Sequence, residues 1–348
     1  MEPLRKMTNL PRAHDELFRR SPDERFESLA SLLSHCRNDK DNSRDRWELP
    51  QAIQPLAHAS DLKIALGGDG AALSLNDWSF SQLCDIARVS RDTVNRLSAD
   101  TARRVLVETL PDGRKPFQVF TEGETVRSIH GTHYTRLFNA DLVAMLMEYA
   151  VDFRPPQKGF NGATGLYCGE QDMFAFLIDP TGWAEIDGQA FAPGFFVWNS
   201  EVGKRSVGIS TFWFQAVCAN HIVWDATEVV EFTRKHTGKV GEALGDIRRI
   251  VENLVAKRDE RRDGFVDVMR KAMTTSLGAD AEEALKALTK NGISKALAKR
   301  ALDIAQAEGR FTVFALVDAL TRLAQENEFA GDRSTADEKA SSLLALAV

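Results

Sequence analysis

Gly194–Trp224 reads GFFVWNSEVGKRSVGISTFWFQAVCANHIVW. Two aromatic and β-branched runs flank a turn of glycine and charged residues. That is the pattern of two strands joined as a hairpin, because such side chains pack well on a pleated surface. Asn199, Ser200, Glu201, Gly203, Lys204 and Arg205 occupy the expected tip, where a rigid sheet presents polar groups on a loop. Trp198, Trp213, Phe214 and Trp224 offer a stacking platform, although alternation along a strand sends some of these rings into the core.

Working upstream, TGLYCG and MFAFLID are short apolar segments around the turn candidate GEQD. With the hairpin they predict an antiparallel meander. PFQVF, from Pro116, marks the expected start of β structure, VRSI continues it, and HGTHYTRL reads as a loop. Asn139 or Asp141 then opens a helix that packs through Leu142, Leu146 and Tyr149. Between Trp78 and Leu97, SFSQLCDIARVSRDTVNRL predicts a helix, a tight turn and a second helix capped near Ser90. As a DNA-reading pair these helices would present Arg91, Asp92, Thr93, Asn95 and Arg96 to a groove. As an ordinary helical hairpin the same face is solvated.

Downstream of Asp225 the spacing turns helical to about Glu326, with EALGDIRRIVENLVAKRDERRDGFVDVMRKAM as its long central stretch and Gly264 as a candidate interruption. The expected fold class is therefore α+β, an antiparallel central sheet with helices followed by a mostly helical C-terminal region. The expected segments are a polar N-terminal extension (1–59), a mixed core (60–225), a helical region packed on it (226–330) and a loose tail (331–348).

Composition bounds the function without naming it. The chain has 348 residues, 43% of them hydrophobic, and a formal net charge of −6 with pI near 5.7, so any nucleic-acid surface has to be local. Cys36, Cys84, Cys168 and Cys218 form no CxxC pair and read as buried thiols of a reducing compartment. The opening MEPLRKMTNL lacks the apolar core of a secretory signal, and no run approaches the roughly 20 apolar residues of a membrane span. A cytoplasmic protein without a membrane partner is expected.

Chemistry-bearing residues cluster in two loops. Arg127, His133, Tyr134 and Arg136 in one, and Lys204 and Arg205 in the other, combine cations with an aromatic ring. This suits phosphate contact and base stacking. The alternative in the first loop is that one arginine pairs with Asp or Glu while the histidines satisfy backbone carbonyls, and in the second that Glu201 pairs with Lys204 or Arg205. His130 and His133 form an HxxH pair, but Gly131 and the strand before it argue against a shared helix face, so no metal is assigned. Arg154 and Lys158 precede GFNGATG, which lacks the Walker lysine and the dinucleotide fingerprint. Cys218 with His221 suggests a thiolate pair, against which the aromatic surroundings favour a structural thiol. RKHTGK (234–239) is a compact basic patch that also serves as a solvated joint. No catalytic, metal or cofactor-binding residue is assigned, and no cofactor is expected.

Taken in order, WSFSQLCDIARVSRDTVNRLSADTARRVL, VRSIHGTHYTRLFNADLV, FFVWNSEVGKRSVGISTFWFQAVCANHIV and RKHTGK resemble the phage- and plasmid-associated family whose shared region is called domain of unknown function 932, over roughly residues 60–325. Leu83, Ala87, Val126, Arg127 and Tyr134 match its helical segment and the loop that follows. Asn199, Ser200, Glu201 and Gly203 match its N-S-E-x-G turn. Gly131 stands where serine is common, and His221 where the family's C-T-N-G ending has glycine. The resemblance implies mobile-element DNA metabolism. The leading expectation is a homo-oligomeric single-stranded DNA-binding protein, with strand annealing as its narrower form. A regulatory or assembly protein without DNA contact is the alternative, and a metal-dependent nuclease the third reading.

Overall fold

The computed structural model describes residues 16–67, 71–156, 165–215, 231–307 and 311–347, with backbone alone at 221–224. The first elements are β1 (Glu24–Arg25), α1 (Leu29–Asn42), β2 (Ser43–Glu48), β3 (Ile53–His58), β4 (Asp61–Leu66) and β5 (Ala72–Leu75). Next come α2 (Asp77–Ala87), α3 (Arg91–Val94), α4 (Ala99–Thr109), β6 (Phe117–Glu122), β7 (Thr125–His130) and α5 (Asn139–Tyr149). A second run of strands comprises β8 (Leu166–Cys168), β9 (Met173–Ile178), β10 (Ala184–Ile186), β11 (Gln189–Asn199), β12 (Val207–Gln215), β13 (His221–Trp224) and β14 (Glu231–Arg234). The remainder is helical: α6 (Ala243–Ala256), α7 (Arg258–Thr274), α8 (Ala281–Lys290), α9 (Lys295–Ala307), α10 (Val313–Ala324) and α11 (Ala330–Ser341). The α+β class with a helical C-terminal region is the architecture found. No helix among the described residues is long and apolar enough to cross a membrane.

The elements divide into two compact units. The first comprises residues up to Ser21, Arg37–Arg136 and Glu201–Lys204, and the second Pro22–Cys36, Leu137–Ser200 and the chain from Arg205. In the first, a six-stranded sheet runs β2-β6-β7-β5-β4-β3. Its pairs are antiparallel except β5 with β7. Alternating residues such as Leu62, Ile64 and Leu66 pack with Phe80, Leu83 and Leu106 of α2 and α4. Asn76 starts α2 with a capping box: the Ser79 amide donates to Asn76 Oδ1 at 2.8 Å, and the Asn76 amide to Ser79 Oγ at 3.0 Å.

In the second unit an eight-stranded antiparallel sheet runs β1-β8-β9-β11-β12-β13, with β10 added to β11 and β14 to β12. Period-2 alternation separates its two faces. Leu166, Met173, Ala175, Leu177, Phe195, Val197, Val207 and Ile209 join a core with Leu146 of α5 and Ile247 and Val251 of α6. Tyr167, Phe174, Phe176, Phe196, Phe212 and Phe214 form an aromatic layer on the opposite face, with Ala330 of α11 against it. A third cluster joins Phe191 and Trp213 to α7, α9 and α10, and there Trp213 stacks on Phe265 with centroids 4.0 Å apart. Gly208 lies opposite Trp198 in register, where a β-carbon would collide with the indole.

Several boundaries differ from expectation. Residues 43–66, assigned largely to a polar extension, supply β2, β3 and β4, so β structure begins well before Pro116. The polarity of β2 follows from its place at a sheet edge, with Trp47 53% exposed. Of the expected loose tail (331–348), the described residues 331–347 are ordered into structure: α11 continues into a 3-10 turn, Ser342–Ala347, whose Leu343 and Leu344 are buried. The long central helix is two helices meeting at Lys257, and Gly264 sits uninterrupted inside α7. Leu344→Ala is expected to lower unfolding stability in urea by about 2–5 kcal/mol, the range for emptying a buried leucine site. A loose tail would give no change.

Candidate functional site

The candidate residues of the first unit form a clasp around Glu201–Lys204. Arg127, buried on β7, places Nη1 3.2 Å from Glu201 Oε2 and 3.1 Å from Glu122 Oε2. Tyr134 donates its hydroxyl to the Glu201 carbonyl at 2.8 Å. Arg136 donates to the same carbonyl and meets Asp45 at 2.7 Å. The His130 and Tyr134 rings stack with centroids 3.7 Å apart. Against them lies Gly203 at φ +73°, a left-handed turn position where glycine is unstrained. Trp78 donates its indole N–H to the Val202 carbonyl at 2.7 Å and carries Lys204 Nζ 4.6 Å from its ring centre. Burial pushes the Tyr134 phenol well above its usual range, opposed by the charge of Arg136.

Of the six residues read as phosphate and base contacts, Arg127 and Arg136 are thus engaged by carboxylates. Arg205, in the second unit, pairs with Asp172 at 2.8 Å. Carboxylate pairing takes two arginines of the first loop where the sequence alternative held one, and Arg205 has Asp172 in place of Glu201 as its partner. His133 and Lys204 are exposed. The helix-turn-helix reading is overturned by length, since α3 has four residues and so cannot fill a major groove. Arg91 pairs with Asp77 and Asp92, while Asn95 is buried and exchanges hydrogen bonds with the Phe18 backbone at 2.8 and 2.9 Å.

The second unit contains a cleft that the sequence reading missed. The aromatic face of its sheet carries a row in which Trp198 stacks 4.8 Å from Phe196, and Phe196 lies 5.0 Å from Phe176 and 6.5 Å from Phe174. A groove of about 300 Å³ runs over Phe174, Phe196 and Trp198, rimmed by Arg205, Ser210, Glu231 and Glu338. Burial, and then the Glu231 charge, raise the Glu338 carboxyl above its usual range. A smaller cavity of about 40 Å³ shares Ser334 with the groove and is lined by Tyr167, Phe176, Phe214, Arg333 and Asp337. The Arg333 guanidinium lies over the Tyr167 ring, 4.7 Å from its centre. Asp337 is buried, its Oδ1 has no hydrogen-bond partner, and burial holds its carboxyl well above the usual carboxylate range against the partial opposition of Arg333.

The remaining candidates take structural places. His130 ends β7 in its ring stack, and no group of three or more His, Cys, Asp or Glu side chains among the described residues is placed to hold a metal ion. Arg234 pairs with Glu242 at 2.9 Å and Asp246 at 2.8 Å, which makes RKHTGK an ion-paired joint. Cys36, Cys84 and Cys168 are buried free thiols, and burial pushes Cys84 up to about 12. Lys158, most of GFNGATG, Cys218, Asn220 and the His221 and Trp224 side chains lie outside the described residues.

No family model, curated protein or solved structure matches the chain. The resemblance to the domain of unknown function 932 family is overturned on that finding, and the mobile-element setting drawn from it loses its basis. The short strings that carried it are met by local structural needs, such as the hairpin-tip clasp. Replacing Glu201 by alanine removes one of the two carboxylates at buried Arg127, so stability in urea should fall by about 3 kcal/mol. Arg127→Met combined with Glu201→Leu should recover most of that loss. A single-mutant cost under about 1 kcal/mol, typical of an exposed pair, would contradict the clasp.

Proposed function

We propose that this is a binding protein whose ligand lies in the cleft between the aromatic face of the second unit's sheet and α11. The observation that carries this reading is the row Phe174–Phe196–Trp198 flooring a groove with a polar rim. Ligand sites are concave, largely apolar and furnished with a few convergent polar groups, and a partly exposed indole on a ring stack offers a planar partner a face. The ring row and polar rim support binding, and no catalytic role is assigned to the groove.

Single-stranded DNA binding is the second reading, favoured in the first unit by the exposure of His133 and Lys204. Engagement of Arg127, Arg136 and Arg205 by carboxylates, and the presence of Glu231 and Glu338 on the groove rim, weigh against a phosphate track. Assembly of several protomers belongs to this reading alone.

Titration with benzamide, a neutral planar probe, separates the two. Wild-type protein should show a saturable rise in melting temperature, and Trp198→Ala should weaken binding by roughly fivefold, equivalent to about 1 kcal/mol of ring contact. An unchanged affinity in that variant sinks the cleft reading. A fluorescent single strand followed over a salt series tests the second. DNA binding through Lys204 predicts that Lys204→Ala lowers the salt slope by about one, whereas no binding at low salt removes that reading.

A further inference from the structure

The small cavity beneath α11 holds charges in an unusual balance. Arg333 and Asp337 lie four residues apart on one helix, the spacing at which opposite charges ordinarily pair. They form no ion pair. Arg333 is 7% and Asp337 1% exposed, and both line the cavity. Among the described residues the Arg333 guanidinium has no carboxylate partner, only the face of Tyr167. Asp337 Oδ1 has no hydrogen-bond partner at all. A buried cation without a counter-ion is costly, and so is a buried carboxyl oxygen without a partner. Both costs are relieved together by one group that accepts from Arg333 and shares a proton with Asp337.

We propose that this cavity is the carboxylate end of the ligand site, with Arg333 as counter-ion of a small carboxylic acid and Asp337 as its hydrogen-bond partner. The inference rests on the cleft being a binding site and names what it binds. A cavity of about 40 Å³ takes about three waters at roughly 10–15 Å³ each. A planar carboxylate suits that space better than a tetrahedral phosphate. The planar guanidinium fork matches a carboxylate with two parallel hydrogen bonds. Tyr167, Phe176 and Phe214 supply apolar walls beside the carboxylate, and the carbon skeleton extends toward the groove. The charged or titratable groups lining the cavity are Arg333 and Asp337 from α11 and Tyr167 from β8. Burial favours the protonated form of Asp337, and in that form its carboxyl donates a hydrogen bond and adds no charge to repel an anion.

The full chain is titrated calorimetrically at pH 7 with benzoate, benzamide, benzylamine and inorganic phosphate. Benzoate is expected to bind at least tenfold more tightly than benzamide, and benzylamine not at all. Arg333→Met should abolish the preference for benzoate while keeping benzamide binding, and it should not lower the melting temperature of the unliganded protein, because a buried unpaired charge is gone. Asp337→Asn, which keeps a donor, should hold benzoate affinity within threefold. If Arg333→Met does not fold, Arg333→Lys provides the same reading, with affinity lowered between threefold and tenfold by loss of the fork. Benzoate no tighter than benzamide overturns the inference and leaves the cleft reading standing, whereas binding of none of the probes overturns both. Benzylamine binding abolished in Asp337→Asn would make this a cation site and overturn it. Phosphate that competes fully with benzoate would identify an inorganic anion site and overturn it too.

Discussion

Everything in the second unit depends on the alternation of β11 and β12, which are buried on both faces. Phe195 and Val197 point to one core and Phe196 and Trp198 to the other, while Val207 and Ile209 alternate with Gly208 and Ser210 in the same way. A one-residue slip would exchange these sets and drive Trp198 toward the side filled by Val207 and Ile209, so the pairing is held to one register. Gly208 exists for the indole opposite it. The same alternation gathers the rings into one layer and leaves that layer for α11 to cover.

Two kinds of buried arginine define what the molecule does with charge. Arg127 is closed off: two carboxylates flank it, and the Glu201 carbonyl is itself taken by Tyr134 and Arg136. The contacts of Arg127, Tyr134 and Arg136 hold a turn, which gives the clasp structural work. Arg333 is the opposite case, a guanidinium stacked on an aromatic ring at a cavity wall, with a buried carboxyl nearby whose protonated form burial favours. A satisfied network rigidifies its surroundings, while an unsatisfied one is what a ligand completes.

How much of this was legible in the sequence follows from which residues carry it. The hairpin, the strands at Leu166–Cys168 and Met173–Ile178, and the helix starting at Asn139 were readable because large apolar side chains recur at the strand or helix period. The edge strand SRDRWE was not, because an edge half-exposed to water carries charges instead of an apolar alternation. The helix α11 was missed for a related reason. The residues it buries are Ala330, Gly331, Arg333, Ser334, Asp337, Ala340 and Ser341, a small and polar face that gives no hydrophobic signal although its spacing is helical. The cleft was invisible with it, since Ser334, Thr335 and Glu338 of its polar lining lie on that helix. The loop arginines stood out as cations, but their partners Asp45, Glu122, Asp172 and Glu201 were distant in sequence or unassigned, and only the fold brings them within reach.

The central claim is that Arg333 and Asp337 frame a ligand group instead of neutralising each other. A crystal structure of the full chain grown with benzoate tests it most directly. A planar carboxylate should lie within hydrogen-bond distance of both the Arg333 guanidinium and Asp337 Oδ1, with the ring directed to the Phe174–Phe196–Trp198 row. A cavity holding only water, with Arg333 and Asp337 closed into a direct ion pair, would contradict it.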